Sequence, residues 1–564
     1  MIFAAEEQLR LDANWVDYLL ITLYFIFVLG IGIAAKRSIS TSIDFFLSGR
    51  ALPAWVTGLA FISANLGAVE IIGMSANGAN YGLPTVHYFW IGAVPAMLFL
   101  GIVMMPFYYG SKVRSVPEFM RRRFGTGAHL VNALSFAVAQ LLIAGINLFL
   151  LAKIVNILLG WPLFVSLVIA AAIVLSYITL GGLSAAIYNE VLQFFIIVAA
   201  LLPLTIVGLH KVGGWSGLTE KVTASTGGAE QLHSWPGTAL SGFESPVLSV
   251  IGIVFGLGFV LSFGYWTTNF VEVQRAMASK SMSAAQRAPI IGAFPKMFVP
   301  FIVIVPGMIA AVLVSEISEA KEAAAASGAA VDYNNSLLYL MRDLLPNGML
   351  GVAIAGLLAS FMAGMAANIS AFNTVFSYDL WQQYVIKDKP DDYYTLVGRI
   401  ATVGATVVAI GTALIASQYS NIMDYLQTLF GFFNAPLFAT FILGMFWKRM
   451  TATAGWAGLV SGTAAAIFVW MLSGDVLGVI GIEGQGGAFV AAGAAFVVDI
   501  IVSVAVSMAG TAKDEDDLRG LVYSLTPKQD FHDPSEPDLG WWQQPTKLAG
   551  IALVMVIALN LLFF

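Results

Sequence analysis

Apolar residues run through this chain in blocks long enough to cross a lipid bilayer, separated by short polar connections. A spanning helix needs about 20 mostly apolar residues. Fourteen such blocks can be counted, from 15–35 at the start to 546–564 at the end. Most are uninterrupted, as in LYFIFVLGIGIAA or FFIIVAALLPLTIVGL. Blocks 161–181 and 184–209 are divided only by the glycine pair of ITLGGLS, which predicts a turn. Two blocks break the apolar pattern. Block 52–76 contains FISANLGAVEIIG, with Asn65, Gly67, Glu70 and Gly73, and block 246–274 contains FGLGFVLSFGYWTTN. Each opens a set of five, 52–209 and 246–446, so the two sets can be paired. Interrupted hydrophobic segments at corresponding places in two halves point to an inverted-repeat transporter with its site near the bilayer midplane.

Composition agrees. Hydrophobic residues make up 59% of the 564 and charged residues 11%, against about 25% charged in soluble domains. Lysine and arginine concentrate in alternate connections: Lys36, Arg37 and Arg50, then Lys112, Arg114 and Arg121 to Arg123, then Arg275, Lys280 and Arg287, then Lys387, Lys389 and Arg399. The connection 77–83 has no charge and 315–335 is acidic, with Glu316, Glu319, Glu322 and Asp332. By the positive-inside rule the basic connections are cytoplasmic, which places both termini outside a cell membrane, taken here as bacterial. The N-terminal MIFAAEEQLRLDANW lacks the basic start of a signal peptide, so the first block is expected to stay as a span. Cysteine is absent, which removes disulfides, thiolate metal sites and cysteine nucleophiles. The net charge of −6 comes without a basic block, so no nucleic-acid partner is expected. No nucleophile–base set, metal spacing or phosphate loop is present, so an enzyme is not expected.

Charge inside a span is costly and needs a partner or a role. Glu70 either reaches interfacial water or faces a cavity. Lys296, in PIIGAFPKMFVPFIVIVPG, sits several residues into its block among Pro289, Pro295, Pro300 and Pro306, and is expected to face a cavity. Glu190 follows the glycine pair closely enough to be a solvated carboxylate near the surface. Asp424 and Gln427 are three apart and share a helix face, which should turn away from lipid. His87, beside Tyr88 and Trp90, fits an outer interface. Tyr265 and Trp266 adjoin Thr267, Thr268 and Asn269, an arrangement that suits a lined cavity better than an aromatic belt. The small residues of ASFMAGMAANISAFNTVFSYD allow close helix packing.

FFLSGRALPAWVTGLAFISANLGAVEIIGMS, SVPEFMRRRFG, YITLGGLSAAIYNEVLQ, YWTTNFVEVQRAMASKS and FILGMFWKR agree in order and spacing with known landmarks. On these the chain resembles the sodium:solute symporter family, of the sodium–glucose/galactose type, over about residues 15 to 475. The resemblance implies an all-α integral membrane protein of about fourteen transmembrane helices, with a LeuT-like core of two inverted five-helix repeats whose first helices are broken. Residues 1–51 would hold the N-terminus and first flanking helix, 52–212 and 246–446 the repeats, and 447–564 the C-terminal flanking helices with a solvated cytoplasmic linker at 511–545. By the same resemblance Asn65, Glu70, Tyr88, Lys296 and Gln427 would bind solute, and Tyr265 with Trp266 would form the inner gate. Glu190 would lie on the ion path, and the Ser63 and Leu66 carbonyls with Ser360 would hold Na+.

The departures from the family pattern are specific. Phe89, Gly92 and Ser262 stand where sugar transporters place polar contacts, so a different polar solute is expected. Two hydroxyl positions of the sodium site read Ala363 and Gly364. The function implied is ion-coupled symport of a small polar organic solute, with Na+ as the coupling ion. Proton coupling through Glu70 or Glu190 and a transport-inactive solute sensor are the alternatives. Beyond solute, ion and bilayer, no cofactor and no obligate protein partner is expected.

Overall fold

Helix follows apolar sequence throughout. The structure, a computed structural model, describes residues 9–36, 42–111, 113–235, 240–243, 245–327, 331–419, 421–473, 477–482, 485–531, 533–534 and 539–564. The helices that build it are α1 (Trp15–Lys36), α2 (Ala54–Asn65), α3 (Val69–Tyr81), α4 (Leu83–Gly110), α5 (Val116–Phe124), α6 (Thr126–Leu159) and α7 (Leu163–Val212). After a connection come α8 (Pro246–Thr268), α9 (Phe270–Met277), α10 (Met282–Leu313), α11 (Ser315–Ser327), α12 (Met349–Val385), α13 (Asp391–Ala416) and α14 (Ile422–Phe446). The chain closes with α15 (Ala452–Leu472), α16 (Gln485–Ala509) and α17 (Pro545–Leu562). Among the described residues there is no strand, only two isolated bridges.

Both interrupted blocks are broken helices. The axes of α2 and α3 differ by 58° across Leu66 to Ala68. Leu66 leaves the helical region at ψ 46°, and Asn147 Oδ1 of α6 accepts the freed amide of Ala68 at 3.2 Å. The second break lies between α8 and α9, where Asn269 turns extended (ψ 115°) and its side chain caps the Val271 amide at 3.0 Å. An Asn at each break satisfies backbone that would otherwise be orphaned away from water.

Helix α10 keeps its course through four internal prolines. A proline ring loosens the turn before it and frees carbonyls there. Trp90 Nε1 donates to Met297 O (2.9 Å), three residues before Pro300. Likewise Ser75 Oγ donates to Val303 O (2.6 Å), three before Pro306. Gly78 and Gly307 bring α3 against α10 at backbone contact, since a Cβ on either would strike a carbonyl of the other helix. These bonds fix α3, α4 and α10 around one space.

Some expectations are corrected. Twelve described helices are long and apolar enough to span, and the bent α2–α3 pair makes a thirteenth. The expected turn between 161–181 and 184–209 is absent: α7 continues through Gly181 and Gly182 as one helix of 50 residues. Glycine in a helix costs only about 1 kcal/mol, which the apolar stretches Leu163–Ser176 and Leu183–Val212 on either side outweigh. The 511–545 segment is not a plain solvated linker. Leu518, Leu521 and Val522 are buried, Phe531 packs 4.8 Å from Phe107, and Asp533 caps the Ser283 amide at 2.9 Å. His87 is buried, bonded to Ser234 O at 2.6 Å beneath the connection after α7, rather than placed at an interface. Of the residues used for orientation, Arg37 and Lys112 lie outside the described residues, as do residues 1–8.

Candidate functional site

A cavity opens at the α2–α3 break, lined by side chains from α2, α3, α4, α8, α10 and α14. Asn65, Glu70, Tyr88, Tyr265, Lys296 and Gln427 all line it. The break turns Asn65 and Glu70 inward from the two halves of one span, and α10 brings Lys296 to meet them. Lys296 Nζ is 2.6 Å from Glu70 Oε1 and also donates to Asn65 Oδ1. The ammonium lies 4.8 Å from the Phe89 ring centre and 5.1 Å from that of Trp266, so aromatic faces complete its surroundings. Glu70 is therefore not an interfacial carboxylate, and Phe89 serves here as a wall for the cation. Gln427 reaches the cavity with Nε2 bonded, among the described residues, to Met423 Sδ at 3.3 Å, a weak acceptor that leaves the amide available.

Tyr265 forms the floor. Its ring packs on Phe430 of α14 (4.5 Å) and edge-on to Trp266 (5.2 Å). Its hydroxyl accepts from Asn65 Nδ2 at 3.0 Å and donates to Glu272 Oε1 at 2.7 Å. A continuous polar chain thus runs Glu70–Lys296–Asn65–Tyr265–Glu272.

At the other side, Tyr88 donates to Gln485 Oε1, and Gln485 Nε2 donates to Asp424 Oδ1. The start of α16 therefore closes over the rim of the cavity. Asp424 and Gln427 do share a face, but Asp424 is engaged at this rim while Gln427 points into the cavity.

The residues expected to hold an ion come together in part. Ser360 Oγ donates to Leu66 O at 2.6 Å, and Ser63 Oγ is fully buried with no hydrogen-bond partner among the described residues. An orphaned buried hydroxyl costs free energy unless something binds it, which fits a cation held beside it. Gly364 does something else. A Cβ there would sit 2.6 Å from Asn147 Oδ1 and 3.1 Å from Gly67 Cα, so α12 meets the helix break by bare backbone contact.

Glu190 lies elsewhere. Far from being solvated, it is wholly buried and paired with Arg275, Nη2 to Oε1 at 2.6 Å and Nε to Oε2 at 3.3 Å, and it does not line the cavity. The sequence reading missed Arg275, which it counted as a loop cation, together with Glu272, Gln485 and Asn147. The eight residues of α9, FVEVQRAM, are all buried. A signal for it was present: Glu272 and Arg275 stand three apart in a motif that also carries Tyr265 and Trp266.

A family model described as "Sodium:solute symporter family" matches residues 45–462. The sodium/glucose cotransporter of Vibrio parahaemolyticus is 28% identical over 469 residues, covering 81% of this chain and 85% of the relative. Sodium/glucose cotransporter 4 of Danio rerio is 31% identical over 477 residues, covering 81% and 72%. A substrate-bound, outward-open structure of a Na+-coupled sialic acid symporter superposes with a TM-score of 0.72 at 18% identity, covering 89% of this chain and all of that one. This likeness places the fold among LeuT-like transporters. The relatives are cotransporters rather than enzymes. By sequence and by fold, this multi-pass membrane protein belongs to the sodium:solute symporter family.

Proposed function

We propose that the chain is a Na+-coupled symporter that moves a small polar organic solute into the cell by alternating access. The observation that carries this is the Glu70–Lys296 pair, held with Asn65 where a discontinuous helix meets a cavity. One anion and one cation face the cavity, so its lining is neutral overall. A neutral polyhydroxylated or zwitterionic solute can accept from Lys296 and donate to Glu70 without importing net charge. Tyr88 and Gln427 extend the contact surface, and Tyr265 with Trp266 closes the inner side. Na+ sits beside the Leu66 and Ser63 carbonyls with Ser360, and the orphaned Ser63 hydroxyl supports that position. The basic connections face the cytoplasm and both termini face outward.

Two measurements on purified full-length protein test this. Thermal stability is followed against Na+, with choline holding ionic strength. A ligand bound only by the folded state adds about 2.7 kcal/mol at a hundredfold excess over Kd. The protein is then reconstituted, and glucose, amino acids and polyols are offered under a Na+ gradient. A sodium-specific rise and sodium-driven accumulation of one solute are expected. A solute that stabilises the protein but never accumulates would make it a sensor. Proton drive is favoured by one observation, the close packing of Gly364 where a hydroxyl would serve the ion. It predicts accumulation under a pH gradient with no response to Na+.

A further inference from the structure

Five charged side chains lie around the gate, four of them buried, and they do not balance. Lys296 pairs with Glu70 and Arg275 with Glu190, each at 2.6 Å. Glu272, with no exposed surface, pairs with neither. Its Oε1 accepts the Tyr265 hydroxyl, and its Oε2 has no hydrogen-bond partner among the described residues. An ionised carboxylate buried without a cation is costly, so this group calls for one.

The cavity lining includes Asn269 and Val271 but not Glu272. A sodium ion wants several oxygen ligands, and among the described residues the Tyr265 hydroxyl is the one oxygen bonded to this carboxyl. A proton needs no ligand shell and no room. We propose that Glu272 takes up a proton during the transport cycle and that this proton releases the Tyr265 gate.

The surroundings define what the proton does. Helices α2 and the Met349–Thr374 part of α12 bring no titratable side chain against α9. Tyr265 comes from α8, Lys296 from α10, Glu190 from α7 and Arg275 from α9 itself. The other packed neighbours carry Asp44, on the short helix Ser42–Leu47, and Tyr108 and Tyr109, on α4. With Glu272 ionised, the Tyr265–Glu272 bond is charge-assisted and holds Tyr265 in line with Asn65 and Lys296. Proton uptake at Oε2 makes Oε1 a neutral and weaker acceptor, and the gate loosens. The proton comes from water on the side to which the pocket is open, and returns to water when Glu272 ionises again.

This builds on the symporter reading, but its test needs no solute, so the two can fail separately. The chain has no cysteine, and Ser262→Cys places a single thiol in the cavity lining. Alkylation of that thiol by a maleimide is timed from mildly acid to mildly alkaline pH, with and without Glu272→Gln. Thiol ionisation affects both proteins alike and cancels in the ratio of rates. The ratio of the E272Q protein to its parent should be near one in acid and rise several-fold as the parent's gate closes with increasing pH. A ratio independent of pH overturns the proposal. If Glu272→Gln fails to fold, Tyr265→Phe, which removes the gate hydroxyl and keeps the carboxyl, is judged by the same criterion.

Discussion

Glu190–Arg275 and Glu70–Lys296 are two ion pairs built differently. Glu190 and Arg275 have no exposed side-chain surface and meet through two contacts. Arg275 Nη1 also donates to Val271 O and to Gln274 Oε1, and Gln274 Nε2 ties on to Phe46 O and Thr374 Oγ1. Four of the five guanidinium N–H donors are engaged, which joins α7 to α9 and, through Gln274, to α12 and the helix Ser42–Leu47. Glu70 and Lys296 meet through one contact beside the cavity, and Glu70 keeps 11% of its side chain exposed. Of the three ammonium hydrogens, two go to Glu70 and Asn65, which leaves the third toward the Phe89 and Trp266 faces. The first pair is a rivet. The second keeps bonding capacity toward the cavity, as the proposed solute contact requires, so what marks a candidate site inside a membrane protein is that spare capacity rather than charge itself.

Cutting the rivet should have the largest effect. Arg275→Met leaves Glu190 buried and unpaired, a loss of about 3–5 kcal/mol in stability, read as thermal unfolding in detergent. Adding Glu190→Gln should recover most of it, because removing both charges avoids an orphan. If Arg275→Met unfolds with the parent, the distinction between the pairs is wrong.

Glu70→Gln attacks the other pair and should divide differently. A hydrogen bond to a charged group is worth about 1.5–3 kcal/mol, so solute affinity should fall roughly tenfold to a hundredfold. Stability should drop by only about 1 kcal/mol, because cavity water can solvate the freed ammonium. Uptake KM and unfolding temperature on the same preparation separate the two effects, and an equal loss in both would make this pair a second rivet. Gly364→Ser addresses the ion position. Its Cβ would lie 2.6 Å from Asn147 Oδ1, so overpacking of about 1–3 kcal/mol is expected in the unfolding temperature. Full stability would mean that α12 can withdraw from the break and admit a hydroxyl ligand.

The broken helix, its partner in the second half and the residues around the cavity were legible because polar residues in an apolar frame have few explanations. Asn65, Glu70, Lys296 and Gln427 all line the one cavity. What stayed hidden was pairing between distant segments. Arg275 lies 85 positions from Glu190, and in the sequence it is indistinguishable from a loop arginine near a span end. Gln485 looks like an ordinary polar residue before a flanking helix, and only the fold brings it onto Tyr88. Gly181 and Gly182 were misread for a different reason. A glycine pair marks a turn only when the flanking helix is weak, and here it is long and apolar on both sides.

A third buried cation extends the comparison and predicts the smallest effect. Lys321 of α11, outside the spanning helices, has no carboxylate within ion-pair distance among the described residues. Its Nζ donates to Ala79 O, at the end of α3, at 2.8 Å. Burial pushes its pKa down to about 8 from an ordinary 10.5. The folded protein thus gives up this proton more readily than the unfolded chain does. Below about pH 8 both states hold it, and the cost of burying the charge is constant. Between about 8 and 10.5 the unfolded chain holds more protons, so this residue's contribution to stability rises with pH. The full shift corresponds to about 3 kcal/mol, which solvent screening at the end of α3 reduces toward about 1 kcal/mol, and the neutral amine can still donate to Ala79 O. Unfolding temperature measured across that window in parent and Lys321→Met isolates the effect, because every other titration is shared. The parent should gain on the variant as pH rises. Parallel curves would mean that the ammonium finds water or an acceptor at the end of α3, and that a buried cation here needs no carboxylate to remain charged.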